Sequence, residues 1–373
     1  MDKPLAGLKV LELARILAGP WAGQLLADLG AEVVKVERPE SGDDTRHWGP
    51  PFAADGAAAY FHACNRGKQS VAIDIDTPEG QAQVRALAGQ ADVLIENFKV
   101  GGLKRFGLDY QTLREVNPGL VYCSITGFGQ TGPYAPRAGY DFIIQGMGGA
   151  MSLTGEPDGE PQKAGIAYAD LFTGLYSTVA ILAALRERDR RGTGAHIDMA
   201  LLDTQVGVLA NQALNWMVSG KVPHRMGNGH ANLVPYQAFK TRDGEVIVAV
   251  GNDRQFARLC QVLALEELAT DVRFASNPAR VVNREALIPL LQRAIGLRGR
   301  AEFSAAIEAA GIPAGPINPV DAVFNDPQVA HRGMKLDLEG VPGLASPIVI
   351  DGKRQASGAP SPTLGSGSGF SGD

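Results

Sequence analysis

The chain has 373 residues, which suits two or three folding units and excludes a single small core. Hydrophobic residues make up 45% and charged residues 20%, and Lys+Arg 35 against Asp+Glu 40 leaves a net charge of −5, so no basic excess recommends a nucleic-acid or membrane partner. No apolar run is expected to span a bilayer and no leader is expected before the first strand, while Cys64, Cys123 and Cys260 lie far apart with no metal-ligand spacing. These features predict a cytoplasmic protein with reduced thiols and no metal site.

Residues 8–37 read as strand, turn, helix, strand, with the turn at Gly19-Pro20 and the helix over Trp21–Leu29. Strands follow at 70–75, 92–98 and 120–128, and Thr77-Pro78 opens a helix to about Gly89. Short, nearly continuous apolar strands separated by helices predict an α/β fold with a parallel sheet covered on both faces. Leu171, Leu175, Val179, Leu182 and Leu185 recur at helical spacing, and a second helix is expected over about 200–218, both largely buried. Composition shifts at 220–229, after which a DG turn joins a hairpin and helices near 253–264, 283–295 and 300–310. The expected organisation is a large unit over 1–220, a small unit over 225–330, a return over 331–356 and a flexible Gly/Ser/Pro tail over 357–373.

The first β-α-β unit invites comparison with a dinucleotide fold, but LAGPWAG holds Gly19 and Gly23 without a G-x-G-x-x-G, which disfavours an NAD or FAD enzyme. Arg38 and Arg46 flank an acidic turn, which suits either a ribose phosphate or a self-neutralising surface loop. Asp170 stands just before an apolar helical run, the ordinary setting of an N-cap.

Five segments taken together carry more: LAGPWAGQLLADLGAEVVKVERPESGDDTR, NRGKQSVAIDI, ADVLIENFKVGGLKRFGL, YCSITGFGQTGPYAPRAGYD and RRGTGAHIDMALLD. In order and spacing they resemble the family III CoA-transferases, also called the CaiB/BaiF family. HWGPPF, GNGHANLVPYQAFKTRDG and GNDRQFA are most similar to the succinyl-CoA–glutarate type within it. The resemblance implies a Rossmann-like large domain with an inserted smaller α+β domain, and a homodimer of two interlocked chains. It implies that Asp170 is the catalytic carboxylate, passing through aspartyl-anhydride and aspartyl-CoA thioester intermediates as CoA moves from succinyl-CoA to a small dicarboxylate such as glutarate. A CoA thioester is then a co-substrate, the partner is a small carboxylic acid, and no prosthetic group is expected. For CoA the resemblance points to Leu17, Ala18, Arg38, Asn97, Phe98, Arg105 and Arg137. For substrate or oxyanion contacts it points to Tyr140, to the loop with Gly227, Gly229, His230 and Asn232, and to the Gly146–Gly149 run.

Leu17 stands where formyl-CoA transferases have glutamine, which argues against oxalate-type substrates. Two other activities stay open at this point. An α-methylacyl-CoA racemase needs an acid/base pair, and its pattern has histidine where this chain has Tyr140, a poor base at neutral pH. A nonenzymatic CoA-binding accessory subunit has no need of an intact Asp170.

Overall fold

In the computed structural model, which describes residues 3–371, β1 (Lys9–Glu12), β2 (Glu32–Glu37), β3 (Gln69–Ala72), β4 (Val93–Glu96), β5 (Val121–Thr126) and β6 (His196–Ala200) form one sheet. Its order is β3-β2-β1-β4-β5-β6 and every pairing is parallel, the order of a doubly wound α/β sheet. Alternate strand residues supply two cores. Val10, Val33, Ile95 and Cys123 face one side, and Leu11, Val34, Leu94 and Tyr122 the other. Burial on both faces is why these strands are continuous apolar runs. β6 is the strand the sequence hides, since HIDMA is an exposed edge with only its last residue buried.

Helix α1 (Ala18–Asp28) begins three residues before the expected position, on the glycine-proline turn itself. α2 (Pro78–Gln90) starts where Thr77 accepts the Gly80 N–H at 3.0 Å. After α3 (Tyr110–Val116) and α4 (Asp141–Met147) comes α5 (Tyr168–Arg191), whose buried face differs from the one expected. Thr173, Gly174, Ser177, Thr178, Ile181 and Leu185 point inward, whereas Leu175 is 43% and Val179 63% exposed. The cause is close approach: a Cβ at Gly174 would stand 2.7 Å from the Ala18 carbonyl oxygen, so small residues must face α1. By length and composition alone α5 could cross a membrane, yet it packs along α1, β5 and β6 as a core helix of this unit. The helix expected at 200–218 is two, α6 (Leu201–Gly207) and α7 (Ala210–Ser219), broken where Ala210 takes φ +46°, and α7 buries none of its residues.

Two compact units emerge. The first holds the sheet: the described residues up to Ala150, Lys163–Ala210, and those from Asp326 onward. The second comprises Met151–Gln162 and Asn211–Asn325, so it starts earlier than position 225 and takes in a segment before α5. In it, β7 (Tyr236–Thr241), β8 (Gly244–Ala249) and the short β9 (Ala314–Gly315) form an antiparallel sheet. α8 (Asp253–Leu263), α9 (Arg284–Gly296) and α10 (Arg300–Ala309) close over Phe239, Val246, Val248, Phe256 and Phe303.

The tail differs from the flexible segment expected over 357–373. As far as residue 371 it lies on the first unit, because its backbone donors find fixed acceptors. The Ser357 N–H reaches Asp28 at 2.7 Å, the Gly365 N–H reaches the Ser70 hydroxyl at 3.0 Å, and the Gly367 N–H reaches the Ser70 carbonyl at 2.7 Å. Phe370 packs against the core beside α2. Composition alone misses these anchors because they lie some 300 residues away in sequence.

Candidate active site

A cleft of about 560 Å³ opens in the first unit beyond the carboxyl ends of β1, β4 and β5. It lies where the strand order reverses between β1 and β4, the usual place for a ligand in an open α/β sheet. Leu17, Ala18, Asn97, Phe98, Arg105, Arg137, Tyr140 and Asp170 all line it.

The turn from β1 into α1 forms one wall. Ile16 sits at φ +74°, a conformation that β-branched residues rarely adopt. Its N–H donates to both Asp43 oxygens, at 3.2 and 3.3 Å. Both polar atoms of the Asn97 side chain are committed to Arg15: the Arg15 N–H donates to Asn97 Oδ1 at 2.9 Å, and Asn97 Nδ2 donates to the Arg15 carbonyl at 2.7 Å. Asn97 therefore shapes the wall with its polar atoms already occupied. Below, Lys35 pairs with Glu12 and Asp43 at 2.9 Å each, and Lys68 with Glu12 at 2.8 Å, all without solvent exposure. Burial opposes the charge on Asp43, yet Lys35 and the Thr45 N–H hold its carboxyl below the usual range.

Asp170 is not a cap. α5 begins at Tyr168, and the N-terminus is capped from elsewhere: Asp141 Oδ1 accepts the Ala169 N–H at 2.9 Å and the Asp170 N–H at 3.4 Å. Gln145 Nε2 fixes the other Asp141 oxygen at 2.7 Å. The Asp170 side chain makes no hydrogen bond or ion pair among the described residues. Burial, and then the Asp141 charge, push its carboxyl up to about 7. The Tyr60 phenol is close enough to feel that charge: burial and then Asp170 raise it to about 12. Arg15, Tyr60 and Asp141 were not singled out from the sequence. Asp141 opens α4, and its neighbours in AGYD give no sign that it also caps α5.

The cationic candidates divide. Arg105 is 74% exposed with Asp76 at 3.7 Å, and Arg137 stands 5.1 and 4.6 Å over the Phe128 and Tyr134 rings with no carboxylate partner among the described residues. Arg38 does not line the cleft; it lies 3.6 Å from Asp44, whose carboxylate also pairs with Arg15 at 2.9 Å. Gly127 and Gly139 meet backbone to backbone at the mouth, and a Cβ on Gly127 would stand 2.6 Å from the Gly139 Cα. Behind Phe98, Glu96 accepts its N–H at 2.8 Å, and burial raises the Glu96 carboxyl to about 7.

The glycine donors expected for an oxyanion are differently employed. In the Gly146–Gly149 run, the Gly148 N–H bonds the Ile144 carbonyl at 2.7 Å and the Gly149 N–H the Gly146 carbonyl at 3.4 Å, closing α4. Gly227, Gly229, His230 and Asn232 belong to the second unit, where the N–H groups of Gly227 and Gly229 donate to the Gly155 and Met226 carbonyls at 3.0 and 2.9 Å. His230 Nδ1 accepts the Asn232 and Leu233 N–H groups at 3.0 and 3.1 Å, so the ring is a turn-builder, and the Asn232 side chain bonds Asn211 and Asn215. The Gly227 and Gly229 N–H groups are therefore committed within the second unit. No cluster of three or more metal-ligating side chains occurs among the described residues.

Comparison with known proteins shows the family. The sequence profile of CoA-transferase family III matches residues 5–368. The chain is 55% identical to the succinate–glutarate CoA-transferase of Agrobacterium fabrum over 97% of this chain and 93% of that one. It is 44% identical to the succinyl-CoA:glutarate CoA-transferase of Mus musculus, over 97% of this chain and 84% of that one. Among solved structures, a CaiB/BaiF family protein from Brucella suis superimposes with a TM-score of 0.87 at 59% identity, covering 98% of this chain and 97% of that one. A doubly wound sheet with its cleft at the switch point, an unpaired carboxylate in that cleft and a match along nearly the whole chain lead to one conclusion: this protein belongs to the family III CoA-transferases, and is an enzyme of that family.

Proposed function

We propose that the enzyme moves CoA from succinyl-CoA, or a similar acyl-CoA, to a small dicarboxylate such as glutarate, with Asp170 as nucleophile. One observation carries the assignment: the Asp170 carboxylate lies in the cleft with no partner of its own, raised toward neutrality by burial. A carboxylate of raised pKa is a better nucleophile, and a thioester is an activated acyl donor. The substrate names of the two curated relatives support the acyl pair.

Asp170 attacks the succinyl thioester carbonyl, forming a succinyl-aspartyl anhydride and expelling CoA thiolate. The thiolate attacks the aspartyl carbonyl, giving an aspartyl-CoA thioester and free succinate. A glutarate carboxylate then displaces the thiolate as a glutaryl-aspartyl anhydride, and the thiolate takes the glutaryl group, restoring Asp170. Each tetrahedral stage develops an oxyanion. The first turn of α1, which has no side-chain cap, offers N–H donors for it beside the same cleft. Arg105 and Arg137 suit the CoA phosphates, and Arg38, reached through Arg15 and Asp44, suits the outer end of the nucleotide. The exposed Tyr140 hydroxyl is the donor for the distal carboxylate of the acceptor.

The active form is a homodimer in this reading. Phe172, Leu175, Tyr176 and Val179 present one apolar face of α5, each at least 40% exposed, and a second copy of the chain is the occupant that would bury it. A cytoplasmic location fits three buried, unpaired cysteines. The test is succinyl-CoA incubated with a panel of free mono- and dicarboxylates, the new thioesters being identified by mass spectrometry. Glutaryl-CoA is expected; no new thioester, or a preference for butyrate over glutarate, overturns the assignment.

A further inference from the structure

Among the described non-glycine residues at positive φ, Ile16 is the only β-branched one. A left-handed isoleucine relaxes to negative φ unless its surroundings hold it. Around it, side chains reach backbone groups of the turn and of the first turn of α1. Lys35 Nζ donates to the Ala14 carbonyl at 2.7 Å, Asp43 accepts the Ile16 N–H, the Cys64 thiol reaches the Ile16 carbonyl at 3.4 Å, and Lys68 Nζ donates to the Pro20 carbonyl at 2.9 Å. Glu12, Lys35, Asp43 and Lys68 alternate in sign through this network, and none of the four side chains is exposed. Asp43 is itself fixed from the other side, with its N–H on Glu37 at 2.8 Å and its Oδ1 accepting the Thr45 hydroxyl at 2.8 Å. So much buried charge is an expensive way to build a turn, since desolvation opposes every member. A glycine at position 16 would need none of it.

We propose that Asp43, held by the Lys35–Glu12–Lys68 network, is a positioning residue for the proposed transferase activity: it clamps Ile16 in the left-handed conformation and thereby sets the Leu17–Ala18 backbone in the cleft wall that Asp170 shares. Released, Ile16 turns back to negative φ and the first turn of α1 loses its aim at the developing oxyanion. Arg105 and Arg137 hold the CoA phosphates in the proposed function, whereas the Leu17–Ala18 backbone meets the reacting carbonyl, so the consequence falls on the chemical step more than on CoA binding.

A double-mutant cycle between Asp43→Asn and Ile16→Gly tests the clamp. Asparagine keeps the size and one acceptor but removes the charge that binds Lys35. Asp43→Asn is expected to lower kcat at least tenfold in the Ile16 background with the KM for acyl-CoA changed less than threefold, and to lower it less than threefold in the Ile16→Gly background. An equal loss in both backgrounds, or a loss seen mainly in KM, overturns the proposal, because a merely structural defect is not repaired by a permissive residue at position 16. Amide exchange over 14–20, measured without substrate, gives a second readout. The Ile16 N–H should be protected at least a hundredfold in the unmutated protein, and an unprotected Ile16 amide overturns the clamp even if Asp43→Asn does not fold. An unmutated enzyme that transfers no CoA overturns the functional assignment, while exchange at Ile16 still decides whether the clamp exists.

Discussion

Asp141 and Asp170 divide two tasks, capping α5 and presenting a carboxylate to the cleft. Asp141 satisfies the amides at the start of α5, which frees Asp170 from capping and leaves its carboxylate to the cleft. Asp170→Asn should therefore keep the fold and acyl-CoA binding while lowering transfer at least a thousandfold, and hydroxylamine should trap the unmutated residue as a hydroxamate after exposure to acyl-CoA alone. A variant within tenfold of wild type removes Asp170 as the nucleophile. The pH dependence follows from the same burial. The Asp170 carboxyl titrates near 7 in the folded chain against 3.8 ordinarily, so the fold disfavours its ionised form. Its contribution to stability is fully present below about pH 4 and is lost as pH rises through 7. The Tm of Asp170→Asn should then exceed that of wild type by more at pH 8 than at pH 5. kcat/KM should rise with pH through about 7 as the nucleophile ionises. Glu96 titrates in the same range, so the limb must survive in Glu96→Gln; its disappearance there would assign it to Glu96. At this scale the sequence was half legible. It singled out Asp170 through a motif, but local spacing suggested a cap there, because nothing in the order of residues shows that Asp141 folds back 29 positions to do that work.

Between elements, hydrophobic periodicity located the first five strands of the sheet and the longer helices, but it missed the short helices α3 and α4 and misjudged which faces are buried. The five apolar residues of α5 predicted an inward stripe, whereas the inward side is Thr173, Gly174 and Ser177, because α1 approaches too closely for anything larger. Strand β6 was invisible because its burial is that of an edge, with no apolar run to mark it. The segments after β1, β4 and β5 nevertheless carried the cleft in recognisable order. Loops after strands supply Arg105 and Arg137, and both are exposed enough to meet phosphate oxygens. Replacing either by alanine should raise the KM for acyl-CoA about tenfold and change kcat less than about threefold, since a charged hydrogen bond is worth roughly 1.5 to 3 kcal/mol and distant contacts act as uniform binding. A pantetheine thioester lacking the nucleotide should show no such penalty; equal losses with both donors would exclude a phosphate contact.

For the whole molecule, two surfaces decide what is stable alone. The outward face of α5 predicts that sedimentation will show a dimer at micromolar concentration, and that Val179→Asp will shift it toward monomer. A monomer in the unmutated protein would leave that face without its proposed partner. The tail is the second surface. Removing residues 357–373 should lower Tm by about 5 °C or more and promote aggregation, because the chain would lose the donors to Asp28 and Ser70 and uncover the edge of β3. An unchanged Tm would show that those bonds are replaced by water without cost. That docking has a consequence for how the protein is made. Ser70 waits 295 positions for Gly365, so a ribosome releases the outer strand of the sheet long before it releases the segment that covers it. Until the segment around Gly365–Gly367 has emerged, the growing polypeptide carries an open strand edge, and a bulky group joined close behind that segment would compete for the place where the edge is closed.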